Sequence, residues 1–172
     1  SIDTNRYCFL YNDSDYEIGV IFKDEAYISR NKINELINDK DYAIYPFKLS
    51  EVVNYDIDTP FEKNIYMSVL TSGAAKTLYG EKVLENLESP KITSTNLLAD
   101  INFNLGLALA SVRVYKSGNI DLANDMFYKS CLYATRDLIY YLTHKLCLSY
   151  NEIYEYSKNI DIINEYKNFV IV

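Results

Sequence analysis

The stretch NDSDYEIGVIF, Asn12 to Phe22, decides how the first part of the chain reads. Asn-Asp-Ser is turn chemistry, and the run Tyr16–Phe22 that follows has the β-branched and aromatic content of a strand. On a strand, residues two apart point to one side, so Asp15 and Glu17 stand together on one face. Adjacent carboxylates repel, and a cation between them keeps both ionised. Mg²⁺ suits such a pair because it prefers hard oxygen ligands and keeps positions open for phosphates. The other reading of the same residues is an exposed acid pair at the turn of an edge strand. Gly19, inside the run, marks a place where another backbone approaches closely.

Working outward, Arg6–Tyr11 (RYCFLY) reads as a strand before the turn. Ser29 caps a short helix through Asn38, with Ile33, Leu36 and Ile37 on one side. Tyr42–Leu49 (YAIYPFKL) is a third strand, and Pro46, which cannot donate to a ladder, puts it at an edge. Near residue 55 the period changes to helical. Thr59-Pro-Phe-Glu62 combines a Thr cap, Pro at the first helical position and Glu at the third, with Phe61, Ile65 and Val69 as a buried stripe. Ser72-Gly73 bends or interrupts this helix, and a second helical piece covers Ala74–Leu87 before Ser89-Pro90.

The longest helix spans Thr95–Lys116. Leu98, Ile101, Leu105, Ala108, Val112 and Tyr115 recur at spacings of three and four, which predicts the buried seam of an antiparallel bundle. Ser117-Gly118-Asn119 ends it and caps the next helix, Ile120–Leu146, with Leu122, Met126, Ser130, Ala134, Leu138 and Tyr141 down one side. Ser149 and Glu152 repeat the capping signature before a helix Tyr150–Asn159, and a last turn or helix covers Asp161–Phe169. The expected class is α+β: residues 1–57 a small mixed sheet with one helix, residues 58–172 an antiparallel helical bundle.

Composition bounds the function. The 172 residues carry 24 acids and 17 bases, a net charge of −7, and no Lys/Arg cluster, which argues against gripping a nucleic-acid backbone. Three cysteines (Cys8, Cys131 and Cys147) without zinc spacing fit a reduced, cytoplasmic protein. The one histidine, His144, excludes sites that need two. No apolar run is expected to reach the roughly 18 residues of a membrane span, and the N-terminus does not read as a signal peptide. None of the cysteines has a basic group and a histidine beside it in sequence, so no thiol nucleophile is expected.

Ser14–Phe22 (SDYEIGVIF) resembles the second core strand of the nucleotidyltransferase superfamily, which holds antibiotic adenylyltransferases and small MNT proteins. Thr59–Lys82 (TPFEKNIYMSVLTSGAAKTLYGEK) is similar to the helix that follows that family's sheet, and Thr95–Leu146 resembles the HEPN-type bundles that accompany it. The order matches too: strand pair, helix, strand, helix, bundle. The resemblance implies transfer of a nucleoside monophosphate from Mg-ATP to a hydroxyl acceptor, or a non-catalytic relative of such enzymes. It implies Asp15 and Glu17 as metal ligands, Asp41 as the third carboxylate that helps activate the acceptor hydroxyl, and Ser14 near the nucleotide. The chain departs from the family at one point. The Gly-Ser turn that holds the phosphates is missing, and the first glycine is Gly19.

Two alternatives stand beside it. Leu105–Cys131 loosely resembles the central helices of viral Bcl-2-like proteins, which implies a helical protein-interaction module. Arg136 and His144 resemble the Arg/His pair of HEPN ribonucleases, although eight helical steps leave them roughly 80° apart around the axis. The competing reading is an Arg136 paired with Asp137 or with an acid of another helix, and a partly buried His144. Tyrosines at helical spacing, such as Tyr150 and Tyr154, read as core or interface filler. Long amphipathic helices rich in tyrosine leave apolar surface to cover, so a homodimer through the bundle is expected.

Overall fold

The computed structural model describes residues 5–9, 16–37 and 42–160, with side chains for 17–37 and 43–160. The side chains of Cys8 and Tyr16 and the last predicted element, 161–169, lie outside what is described. The class is α+β, and the chain divides into two compact units, Ser1–Lys91 and Ile92–Val172. The change of period near residue 55, taken above as the boundary at 57/58, falls inside the first unit.

The first unit is built on a four-stranded mixed sheet of order β3-β2-β1-β4. Strands β1 (Asn5–Phe9) and β2 (Tyr16–Phe22) pair antiparallel, and β3 (Tyr42–Lys48) lies parallel to β2 after a crossover that carries α1 (Arg30–Leu36). β2 has the limits its sequence predicts, and β3 is an edge, as Pro46 requires. Ser29 caps α1 by accepting from the Lys32 N–H at 3.4 Å. Of the three apolar residues expected to bury on α1, only Ile33 does so; Leu36 and Ile37 are exposed.

Strand alternation sends Val20 and Phe22 to one face, where they pack with Ile33, Ile18, Ile28 and Ile44. It sends Ile21 to the other face, where Phe47, Val52, Ile57, Met67, Leu70, Ala75 and Leu84 complete the larger core. Each fully buried side chain of this kind stabilises the fold by about 1.5–3 kcal/mol. α2 (Leu49–Val53) follows β3 directly, and its first turn is held by Asp24, whose carboxylate accepts from the Ser50 N–H at 3.0 Å. Hydrogen bonds from Ser50, first from its side chain and then from this N–H, draw the Asp24 carboxyl below its usual range.

Two expectations in this unit are corrected. The helix predicted at Thr59 begins one turn later as α3 (Lys63–Val69): Glu62 is the cap, accepting from the Ile65 N–H at 2.9 Å, while Thr59 closes a turn by accepting from the Phe61 N–H at 3.3 Å. Ile65 and Val69 are buried as predicted, but Phe61 is half-buried and stacks on Tyr66 instead. After α3 a wide π turn, Leu70–Ala74, ends at Gly73, whose φ of +103° suits glycine. Residues 74–87 are not a helix. They form β4 (Lys76–Tyr79), antiparallel to β1, and a single tight turn, Leu84–Asn86. The open edge of β1 accepts these residues, and Glu85 fixes the strand by accepting from both N–H and Oγ1 of Thr77, at 3.3 and 2.8 Å.

The second unit is a helical hairpin, α4 (Ser94–Lys116) and α5 (Ile120–Thr143), with a shorter α6 (Tyr150–Ser157) against α5. Thr93 and Asn96 form a reciprocal cap on α4, at 3.3 and 2.9 Å. Asn119 caps α5, and Ser149 with Glu152 caps α6, as their sequence signatures predict. α5 stops at Thr143 because His144 takes the left-handed conformation, φ 56°.

The faces of the hairpin differ from expectation. The predicted seam of α4 points outward: Leu98, Leu105 and Val112 are 60, 53 and 49 % exposed. The buried positions are Leu97, Asp100, Asn104 and Ser111 on α4, with Ala123, Ser130 and Asp137 on α5, and Ile139 of α5, which clusters with Cys147 and Ile153. Residues 97, 104 and 111, like 123, 130 and 137, recur every seven positions, so this is still a regular helix–helix contact. Small side chains let the helices approach, and their hydroxyls are satisfied within their own helix, Ser111 on the Ala108 carbonyl at 2.7 Å and Ser130 on that of Met126 at 2.6 Å. Leu122 and Tyr141 of the expected α5 stripe are exposed as well. Contrary to the sequence reading, α4 is long and apolar enough to cross a membrane, by length and composition.

Candidate functional site

Glu17 is the second residue of β2 and half-buried, opposite Phe9 of β1 on one side and Ala43 of β3 on the other. Because β2 and β3 are parallel and in register, Tyr16 beside Tyr42 and Glu17 beside Ala43, the two strands start at the same level of the sheet. Ser14, Asp15 and Asp41 lie outside the described residues. Asp15 and Asp41 are each joined by one peptide bond to a residue of that register, Tyr16 and Tyr42. Among the described residues no group of three His, Cys, Asp or Glu side chains is placed to hold a metal. A carboxylate such as Glu17 is a donor of the hard type Mg²⁺ takes.

Gly19 is buried in the middle of β2, between Tyr7 of β1 and Tyr45 of β3. It lines a small apolar pocket of about 10 Å³ beside the core, with Ile21, Phe47, Met67 and Leu84 around it. Room for one water without polar partners stays dry, so this pocket is a packing defect rather than a site.

The second unit holds a polar cluster that the sequence reading caught only in part. Arg136 of α5 donates from Nε to Asp137 Oδ1 and from Nη2 to Asp100 Oδ2, both at 3.0 Å. Asn104, one turn beyond Asp100, donates to the Asp100 carbonyl at 2.9 Å and to its Oδ2 at 3.1 Å. Asp100 and Asp137 are each 1 % exposed. Burial pushes the Asp137 carboxyl up to about 8, against the pull of Arg136, and a hydrogen bond to Asp100 adds to the rise. Burial works against the Arg136 charge too, but the two neighbouring acids outweigh it and hold its pKa above the usual value. Burial thus disfavours ionisation of the Asp137 carboxyl beside the guanidinium. The Arg136 side chain also lies over the Tyr133 ring, 5.1 Å from its centre, and Tyr133 reaches the Tyr150 hydroxyl at 3.2 Å.

Arg136 is therefore paired with Asp137 and with an acid of another helix, as the competing reading has it, but the partly buried His144 of that reading is corrected: the residue is exposed. His144 sits exposed at the end of α5 with its ring edge-on to Tyr140, and no contact joins it to Arg136 among the described residues. The signal missed in sequence was Asp100, the one charged residue between Ser94 and Val112. A lone acid in an apolar helix requires a partner inside the fold. Burial pushes the Cys131 and Cys147 thiols up, away from thiolate chemistry.

Comparison of the chain with protein-family models, with curated proteins and with solved structures finds no match.

Proposed function

We propose that the first unit is a nucleotidyltransferase-like domain that binds Mg-ATP at the common start of β2 and β3. The observation that supports this reading is the parallel, in-register pairing of the two strands that Asp15 and Asp41 precede by one residue, with Glu17 at the same end. In this reading Asp15 and Glu17 are the metal ligands, Ser14 contacts the nucleotide and Asp41 is the third carboxylate. Bound Mg²⁺ would neutralise phosphate charge. Asp41 would take the proton of an acceptor hydroxyl as its oxygen bonds to the α-phosphorus and pyrophosphate leaves.

The order of elements, strand pair, helix, strand, then a further helix, agrees with the resemblance. The fourth strand is additional to it, and a four-stranded sheet departs from the wholly helical fold implied by the viral Bcl-2-like alternative. Without a Gly-Ser turn the phosphates lose a backbone cradle. Correct orientation contributes about 7–11 kcal/mol of barrier lowering in well-aligned reactions, so binding is expected to outlast turnover.

Calorimetric titration with ATP, with and without Mg²⁺, tests the reading on the native chain and on Glu17→Ala. Metal-dependent binding that weakens at least roughly tenfold in the variant, a loss of about 1.4 kcal/mol, supports it. Absence of binding to the native chain removes it.

A further inference from the structure

We infer that the outward face of α4 is where a second copy of this chain docks, two α4 helices packing antiparallel so that two hairpins form one four-helix bundle. This does not depend on the nucleotide reading. Leu98, Leu105, Leu109 and Val112 form a continuous stripe at spacings of seven, four and three, which is the pattern of a helix-on-helix contact. They are 60, 53, 73 and 49 % exposed, with Tyr115 exposed beside them. Together they leave on the order of 500 Å² of apolar surface, at the upper end of what a monomer shows. Doubled across a two-fold axis, the face reaches the roughly 1,000 Å² that a specific interface needs.

Charge selects the occupant. A chain of net charge −7 repels its copy over most of its surface. Between Ser94 and Val112 the one charged residue is Asp100, which is turned inward onto Arg136, so this face meets its copy with no acid on either side. Exposed Arg113 and Lys116 close the helix at its C-terminal end. A parallel pair would set them against their own copies, and an antiparallel pair puts them at opposite ends, with the helix dipoles opposed as well. The polar seam within the hairpin completes the pattern, since Asn104, Ser111, Ala123 and Ser130 are buried while Leu98, Leu105 and Leu109 stay exposed for the partner.

Sedimentation of the full chain at micromolar to 100 micromolar loading, with Leu105→Glu/Leu109→Glu alongside, tests the inference. The native chain of 20.0 kDa is expected to sediment as a dimer, and the variant as a monomer with dimerisation at least roughly 100-fold weaker and an unchanged far-UV circular dichroism spectrum. If the double variant loses its helical signal, Leu105→Cys in a Cys8→Ser/Cys131→Ser background replaces it: residue 105 lies near the middle of the stripe, and an antiparallel dimer gives a disulfide-linked dimer on mild oxidation, which the background without Leu105→Cys does not give. A monomeric native chain overturns the inference. So does a dimer that persists in the folded double variant, or a monomer that floats with phosphatidylcholine vesicles through these leucines.

Discussion

Asp137→Asn separates a structural acid from an ionised one. In the folded protein the Asp137 carboxyl is raised to about 8, chiefly by burial, and it shares a hydrogen bond with Asp100 while accepting from Arg136. In the unfolded chain an aspartate releases its proton near ~3.9. Between those values the folded state binds one proton more than the unfolded state, so stability falls as pH rises from about 4 to about 8 and levels off above that. The slope is at most ~1.4 kcal/mol per pH unit. Asparagine does not titrate, yet its carbonyl accepts from Arg136 and its amide donates to Asp100, as the protonated acid does. The variant should therefore gain on the native protein steadily between pH 5 and 8, by up to ~4 kcal/mol in total. Urea midpoints followed by helical circular dichroism at several pH values give this difference directly, and the other carboxylates cancel in it. A difference that does not change with pH would refute the assignment of a retained proton. A flat difference between pH 5 and 8 is what an Asp137 already ionised in the folded state would give.

Arg136→Met leaves Asp100 and Asp137 buried without a cation and should cost about 3–5 kcal/mol in the same denaturation assay; a loss below about 1 kcal/mol would mean water reaches the cluster. Gly73→Ala should cost about 1–2 kcal/mol for the left-handed backbone alone, since a Cβ there meets nothing within 4 Å; calorimetric melting measures it. Thr93→Ala removes the side chain that accepts from the Asn96 N–H and should cost about 1 kcal/mol, whereas Thr93→Gly should cost only a few tenths.

Much of the first unit was legible because its signals are local. The limits of β2, the edge position of β3 and the break at Gly73 each follow from the residues that sit there. The start of α3 was misplaced because Thr59 and Glu62 both carry cap chemistry, and the buried Ile65 favours the later one. β4 was missed because a four-residue edge strand is decided by the open edge of β1, which lies some seventy positions away in sequence. On α4 the leucine period predicts the buried seam of the bundle, yet that face is largely exposed, because period marks an apolar face without naming what covers it. The helix packs on α5 through Asn104, Ser111, Ala123 and Ser130, residues whose smallness or polarity a search for leucines passes over. At the candidate site the sequence supplied the acids, and the pairing of β2 with β3 depends on a crossover that no motif encodes.

Paramagnetic broadening by Mn²⁺ in place of Mg²⁺, read on backbone amides with ATP present, tests the nucleotide site most directly. β2 runs about 20 Å from Tyr16 to Phe22, so its two ends are well separated for this effect. A metal at the common start of the strands predicts that substoichiometric Mn²⁺ erases the Glu17 and Ala43 amide signals and leaves those of Phe22 and Lys48 sharp. Uniform broadening, or loss centred elsewhere in the chain, would contradict the placement of a metal–nucleotide site at β2 and β3.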